Sequence, residues 1–188
     1  INTLTSTATF NDKVQLNLKP FPGVMGVAPA TDEMLSTIPP RANGGNMDDP
    51  NLTEGTTVYF PVFVKGALFS IGDAHAIQGL GEVCGTAIEA PMTITYRVRV
   101  IKNKPAIKEP QYENNDYYAV TGFGETIDIA TKKAVNYMID HLTNNYDITD
   151  EDAYMLCSLV GDLHIAEVVD VPNMLVTMHF PKSIIEQL

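Results

Sequence analysis

Hydrophobic and polar residues alternate in several short runs of the first half of the chain, which is typical of β-strands. Two such runs, at residues 7–10 and 14–18, flank an Asn-Asp turn. Residues 56–64 and 67–71 are apolar enough to predict buried strands. Residues 92–100 alternate so strictly that they predict a half-exposed antiparallel strand.

The spacing of apolar residues changes to three and four in the last third of the chain, which predicts helices. Thr126 or Asp128 can cap a first helix that runs to about Asn145. Thr149, followed three residues later by Asp152, predicts the start of a second helix through a carboxylate variant of the capping box. Further short strands are predicted at 117–121, 164–169 and 175–179.

These elements predict a mainly β protein of the α+β class, with a β-sandwich-like body and two flanking helices in the C-terminal third. Residues 1–116 are expected to form the β-rich body, and residues 117–188 an α+β C-terminal subdomain packed on it. Residues 30–57 form a connection long enough to predict a functional loop. Residues 102–115 are polar and predict a surface loop.

The charge of the chain argues against one class of function. The 23 acidic residues outnumber the 12 basic ones and give a net charge of −11, so we expect no nucleic-acid partner and a neutral rather than an anionic substrate. No apolar run is long enough to span a membrane, and no secretory leader is visible. The chain begins with Ile1 instead of Met, so we expect a processed protein or a fragment.

The two cysteines, Cys84 and Cys157, are too few for a disulfide scaffold and are typical of a reducing cytoplasm. Both stand in apolar surroundings, where a free cysteine usually packs as a small hydrophobic residue. A nucleophilic role would need a nearby histidine or a helix N-terminus that favours the thiolate.

The densest set of reactive side chains lies between Ser70 and Glu82. Asp73 and His75 are two residues apart, so both side chains point to one face of an extended chain. A carboxylate with an imidazole is a natural ligand pair for a divalent metal such as zinc. Gln78 follows closely, and the glycines around it let the backbone approach a small ligand. The structural alternative is that Asp73 caps a turn and His75 is a satisfied core histidine.

A second candidate is the string GGNMDD at residues 44–49, in which Asp48 can supply another oxygen ligand. By itself such a string is usually a turn. Among the remaining histidines, His141 is expected at the surface of the first helix beside Asp140, and His164 and His179 are interpreted as structural.

Three strings resemble the signatures of the acetamidase/formamidase family in their order and spacing. They are PGVMGVAP at 22–29, GGNMD at 44–48 and GALFSIGDAHAIQG at 66–79, the last followed by Gly81 and Glu82. The resemblance extends through residues 153–172 and covers essentially the whole chain. It implies a longer family chain whose missing part precedes Ile1 and carries a histidine motif of its own. Leu80 departs from the acidic residue expected there, which indicates a slightly more apolar pocket wall.

The resemblance implies a mostly β fold and the hydrolysis of formamide or acetamide to ammonia and the carboxylate. An amide needs a polarised carbonyl and an activated nucleophile, and a divalent metal, most readily zinc and alternatively calcium, supplies both. The expected site residues are the metal ligands Asp48, Asp73 and His75, the general base and later proton donor Glu82, and the oxyanion donors Asn46 or Gln78.

The expected partners are a small neutral amide, the missing N-terminal part of the same polypeptide and a second copy in a homodimer. Two alternatives stay open. One is an amidohydrolase that acts on a different small amide. The other is a non-catalytic β-domain that binds a metal structurally, which a closed site made only of protein ligands would favour.

Overall fold

The computed structural model describes residues 1–188 and contains eleven strands and three helices. The strands form antiparallel sheets of two, five and four strands. The predicted mainly β, α+β class, with helices in the C-terminal third, is confirmed. In chain order the elements are β1 Thr7–Phe10, β2 Val14–Asn17, β3 Phe21–Gly26, β4 Gly44–Asn46, β5 Thr57–Tyr59, β6 Ser70–Ile77, β7 Ile88–Glu89, β8 Gln111–Glu113, β9 Tyr117–Gly124, α1 Ile127–Asn145, α2 Asp150–Val160, β10 Asp162–Glu167, β11 Met174–Pro181 and α3 Lys182–Ile185.

The five-stranded sheet, in the order β10-β11-β9-β8-β5, carries the larger core on one face. Helix α1 packs on this face through Ala130, Ala134, Met138 and Leu142, all fully buried. Their spacing of four residues places them on one side of the helix. Gly122 of β9 allows the helix to come close, because a Cβ there would lie 2.2 Å from the Ala130 carbonyl oxygen.

Both predicted helix starts are confirmed. Thr126 Oγ1 accepts the backbone N–H of Ile129 at 3.2 Å, and Thr149 Oγ1 accepts that of Asp152 at 3.1 Å. Each cap satisfies a donor that the first helical turn leaves without an intrahelical partner. Helix α2 adds the buried Cys157 to the core, as predicted for that thiol. None of the helices combines the length and the apolarity needed to cross a membrane.

The opposite face of the five-stranded sheet is covered by the loop that follows β4. Met47 and Leu52 of this loop pack against Tyr112, Phe123 and Leu175 of the sheet in a second core cluster. Part of the long connection that was expected to be functional therefore joins the two larger sheets through buried apolar contacts.

The four-stranded sheet has the order β4-β3-β6-β7. Its strand β3 pairs with β4 through Val24 and Asn46, and with β6 through Phe21 and His75. The sequence predicted no strand over β3 because its Pro and Gly residues disfavour one. By lying between β4 and β6, β3 brings the two candidate motifs side by side.

Three predictions in the middle of the chain are wrong in their bounds. Of residues 56–64 only β5 pairs, since Pro61 has no N–H to donate to a neighbouring strand. The strand predicted from Ala67 starts at Ser70 and runs on to Ile77, because Ala67 and Leu68 have left-handed φ angles of 56° and 54°. The predicted polar surface loop contains β8, whose Tyr112 is buried.

The strand predicted at residues 92–100 does not form. No backbone group of residues 92–101 takes part in a backbone hydrogen bond within this chain. Tyr96 touches Phe69, with ring centroids 5.4 Å apart, but Tyr96, Val98 and Val100 stay exposed. A strand needs a neighbour for its hydrogen bonds, and the 188 residues place none beside this segment.

Candidate active site

Strand β6 and the loop after β4 bring the three predicted metal ligands together. Asp73 Oδ2 lies 3.4 Å from His75 Nε2, and Asp48 Oδ1 lies 3.7 Å from His75 Nδ1. One ligand atom from each residue lies within 4.8 Å of the other two. The side chains are thus close enough for one ion to contact all three.

Gly23 of β3 forms the floor of this group. A Cβ at that position would lie 2.4 Å from Asp48 Oδ1, 2.8 Å from His75 Cε1 and 2.9 Å from Asp73 Oδ2. The Gly23 carbonyl oxygen also accepts the backbone N–H groups of Met47 and Asp48, at 3.0 Å and 3.1 Å. Only glycine leaves room for the three side chains to converge, and its carbonyl fixes the loop that carries Asp48.

Gln78 holds the imidazole of His75. Its Oε1 lies 2.8 Å from His75 Nδ1, and its Nε2 donates to the Asp48 carbonyl oxygen at 2.6 Å. Because an amide oxygen can only accept, this assignment puts the proton of His75 on Nδ1. The lone pair of His75 Nε2 then faces Asp73 and Glu89, whose Oε1 lies 3.3 Å away.

A second group of carboxylates shares Asp48. Ligand atoms of Asp48, Glu82 and Asp170 also lie within 4.8 Å of one another, and all three residues are buried. Asn46 Nδ2 donates to Asp170 Oδ2 at 2.7 Å. The completely buried Glu167 accepts the backbone N–H of Asp170 at 3.0 Å. The C-terminal third of the chain therefore contributes acidic side chains to the site.

A short backbone bridge holds these two parts of the chain together. Gly81 N–H donates to the Ala166 carbonyl oxygen at 2.8 Å, and Val168 N–H donates to the Gly81 carbonyl oxygen at 3.1 Å. The bridge places Glu82 beside Glu167, at the end of β10.

The acidic cluster consists of Asp48, Glu82, Glu167 and Asp170, and no Lys or Arg forms a salt bridge with any of them. Burial, followed by the charge of Glu82 and the contact with Asp170, raises the pKa of Asp48 to about 9. Burial also raises the pKa of Glu82 and brings that of Glu167 to about 7. Asp48 Oδ1 and Glu167 Oε1 are buried without a hydrogen-bond partner. Buried carboxylates with unused oxygens form an environment that a divalent cation would stabilise.

The sequence pointed to six of these residues and missed three, Glu89, Glu167 and Asp170. Asp170 is flanked by valines and a proline. An acidic residue in such an apolar stretch is buried only where it has a specific partner, and this pattern could have identified Asp170 as a candidate. Glu89 and Glu167 reach the site only through strand pairing and the Gly81 bridge. Neither contact follows from local sequence.

Other candidate residues lie elsewhere. The predicted surface position of His141 is wrong, because its ring stacks on Tyr118 with centroids 3.8 Å apart, and burial lowers its pKa to about 4. Cys84 was expected in an apolar core but is exposed, since it lies in a turn next to the exposed Val83. His179 is buried on the five-stranded sheet.

Comparisons with known proteins identify the family of this chain. The profile of the Acetamidase/Formamidase family matches residues 30–187. The formamidase of Methylophilus methylotrophus is 34% identical over 178 residues, which are 84% of this chain and 44% of that protein. The acetamidase of Mycolicibacterium smegmatis is 52% identical over 68 residues, which are 35% of this chain and 16% of that protein.

The fold has a close counterpart among solved structures. The crystal structure of an acetamidase from Bacillus halodurans matches with a TM-score of 0.92 and 32% identity, over 97% of this chain and 61% of that one. The chain thus spans only part of each relative, and less than half of the Methylophilus protein. Because the family profile covers most of the residues, the chain belongs to the Acetamidase/Formamidase family.

Proposed function

We propose that the protein hydrolyses small primary amides, formamide and acetamide, to ammonia and the carboxylate. The observation that carries the proposal is the convergence of Asp48, Asp73 and His75 over Gly23, with one buried Asp48 oxygen left without a partner. The relatives named formamidase and acetamidase support the same reaction class.

The three converging side chains fit a divalent cation. An imidazole nitrogen with two carboxylates is a donor set that zinc accepts readily, and calcium is the alternative where oxygen ligands dominate. Gln78 holds His75 with Nε2 free for such an ion. When bound, the ion polarises the amide carbonyl and brings the pKa of a water towards about 7.

Glu82 is the proposed proton carrier. Its side chain is buried beside Asp48 and Asp170, and burial raises the pKa of its carboxyl group. A carboxylate of raised pKa takes the proton of the attacking water more readily and can return it to the nitrogen as the carbon–nitrogen bond breaks. The leaving group then departs as ammonia.

Asn46 and Gln78 are the proposed donors to the oxyanion. Each side-chain amide uses one hydrogen here, Asn46 towards Asp170 and Gln78 towards the Asp48 carbonyl. An amide nitrogen carries two hydrogens, so one remains on each for a developing negative charge. Such a contact is typically worth about 3 kcal/mol in the transition state.

The first experiment measures ammonia release from formamide, acetamide and a panel of other small amides by the complete polypeptide. It is run with and without a chelator and alongside elemental analysis. Chelator-sensitive release is the expected result. Release of ammonia without bound metal would support the proposed function but reject the metal mechanism. If no small amide released ammonia, the proposed function would be wrong and the likeness to the family would extend only to the fold.

The variant Glu82→Gln tests the proton carrier. It should abolish turnover and keep the metal content, because the proposed role of Glu82 is proton transfer. The exposed Glu125→Gln serves as the matched control and should leave both unchanged. Loss of metal in Glu82→Gln would make Glu82 a ligand instead.

Three further expectations belong to the same proposal: a reducing cytoplasmic location, a homodimer, and completion of the fold by the rest of the polypeptide. The two free cysteines support the first. The unpaired backbone of residues 92–101 supports the last, because it offers an edge to another strand.

A further inference from the structure

The loop that follows β4 is anchored to the five-stranded sheet by Asp49, the residue next to Asp48. The side chain of Asp49 is buried, and both of its oxygens are used. Asp49 Oδ2 accepts the Tyr112 hydroxyl of β8 at 2.7 Å, and Asp49 Oδ1 accepts the backbone N–H and the side-chain Nδ2 of Asn51 at 3.0 Å and 2.8 Å. Asp48 Oδ1, in contrast, is buried without a hydrogen-bond partner. The two neighbouring carboxylates therefore have different roles, and that of Asp49 is to hold the loop.

Tyr112 connects this loop to the core of the fold. It belongs to β8, an inner strand of the five-stranded sheet, and only 1% of its surface is exposed. Its hydroxyl oxygen also lies 2.8 Å from His179 Nε2, which in turn lies 3.1 Å from Thr177 Oγ1. Its ring shares a buried cluster with Met47 and Leu52, which are residues of the loop. Both the ring and the hydroxyl of Tyr112 thus fix the loop against the sheet.

Asp48 has a backbone conformation that depends on its surroundings. Its φ angle of 42° is left-handed, a conformation that is strained for a residue with a side chain and persists only where neighbouring contacts hold it. The Gly23 carbonyl oxygen accepts the Asp48 N–H at 3.1 Å, and Gln78 Nε2 donates to the Asp48 carbonyl oxygen at 2.6 Å. These two contacts hold Asp48 from the side of the four-stranded sheet. The hydrogen bond between Asp49 and Tyr112 holds the loop from the side of the five-stranded sheet.

We propose that Asp49 and Tyr112 are positioning residues for the cation site, because they hold Asp48 where its carboxylate meets Asp73 and His75. The inference rests on the divalent cation of the proposed function. Neither positioning residue belongs to the groups of possible ligands, so both act through the backbone of Asp48. Asp73 and His75 stand on β6 of the four-stranded sheet, whereas this anchor lies on the five-stranded sheet. The distance between the ligands is therefore set in part by the contact between the two sheets.

The variant Tyr112→Phe tests the anchor, because it removes the hydroxyl and keeps the ring that packs with Met47 and Leu52. The metal-free complete polypeptide is titrated with Zn²⁺ in competition with a chromophoric chelator. Asp48→Asn identifies the equivalent of Zn²⁺ that belongs to this site. We expect Tyr112→Phe to bind that equivalent about 10-fold or more weakly, because contacts that orient a ligand typically change metal affinity by this much.

Three further variants separate an effect on position from an effect on stability. Tyr118→Phe is the matched control, because it removes a hydroxyl that donates to Gln111 on the same sheet and should bind Zn²⁺ like the unaltered protein. Leu142→Ala truncates the buried core under α1, so it should lower stability without changing the Zn²⁺ affinity of the folded protein. Asp49→Asn alters the same hydrogen bond from its other end, so its loss of affinity and that of Tyr112→Phe should not add.

Hydrogen exchange of the metal-free polypeptide tests the position of the loop directly. Tyr112→Phe should speed the exchange of a peptide covering residues 44–52, which contains the N–H groups bonded to Gly23, and leave a peptide covering residues 130–142 of α1 unchanged. Equal Zn²⁺ affinity of Tyr112→Phe and the unaltered protein, or unchanged exchange at residues 44–52, would overturn this inference alone. An unaltered polypeptide that binds no cation would overturn the metal mechanism of the proposed function and this inference together.

Discussion

Two regions of this chain are predicted to contain strands, but their surroundings in the structure are opposite. The packed region, residues 117–181, contains β9, which pairs with β11 along eight consecutive residues from Tyr117 to Gly124. The bare segment, residues 92–101, has a more regular alternation of apolar and polar residues than β9 and yet makes no backbone hydrogen bond. Within the packed region helix α1 covers one face of β9 and β11, whereas most of the bare segment is exposed.

The difference shows what an alternating pattern can predict. Alternation reports that a segment is suited to an extended conformation with one apolar face. It says nothing about whether a neighbouring strand exists in the same chain, which decides if the hydrogen bonds are made. The comparison can be tested by substitutions placed inside the packed region and outside it.

The largest difference is expected for truncation of an apolar side chain. Leu142→Ala in the packed region should lower the free energy of unfolding by about 2–5 kcal/mol, since Leu142 is fully buried. Val98→Ala in the bare segment should change it by less than about 0.5 kcal/mol, because Val98 is 66% exposed. Urea unfolding measures both. A comparable loss at Val98 would show that the bare segment is covered in solution, for example by a second copy.

A smaller difference is expected for added methyl groups at two strand glycines. Gly122→Ala should cost about 1–3 kcal/mol, because its Cβ would lie 2.2 Å from the carbonyl oxygen of Ala130. Gly72→Ala in β6 should cost less than about 0.5 kcal/mol, because a Cβ there meets nothing within 4 Å. Thermal or urea unfolding compares the two. Equal effects would contradict the close approach of α1 to β9.

The smallest effect is a pH dependence that belongs to the packed region. Burial lowers the pKa of His141 from 6.5 to about 4. Between these values the unfolded chain binds more protons than the folded one, so stability is full above pH 6.5 and falls as the pH drops towards 4. The contribution is at most about 1.4 kcal/mol per pH unit.

His141→Gln should remove this part of the acid sensitivity. The measurement compares urea unfolding of both proteins at pH 7 and pH 5, with Lys132→Gln on the exposed side of α1 as a control for surface change. An unchanged slope in His141→Gln would show that His141 is accessible to protons in the folded state.

The elements that the sequence predicted well are those set by nearby residues. The caps at Thr126 and Thr149 act on the next helical turn, and the spacing of Ala130 to Leu142 is contained in α1. The closing strands β10 and β11 follow the same rule, since a short turn brings them together. Local patterns suffice where the partner is close in sequence.

Local sequence patterns predicted only part of the candidate site. Asp73 and His75 are neighbours on one strand, and Asp48 stands in the GGNMDD string that the sequence singled out as a second candidate. Glu167 and Asp170 enter through contacts across the fold, including the hydrogen bond from Asn46 to Asp170. His141 was misplaced because the aromatic side chain of Tyr118 covers it from another element.

The Gly81 bridge has a consequence for how metal supply would act on this protein. It is one of the contacts that keep Glu82 beside Glu167 and Asp170, so the shared carboxylate group exists only while the two parts of the chain stay docked. An ion that binds the folded chain through Asp48, present at 100 times its dissociation constant, would add about 2.7 kcal/mol to the stability of the state in which the two parts are docked. Loss of the ion would then remove the same amount from the stability of the joint between the two parts.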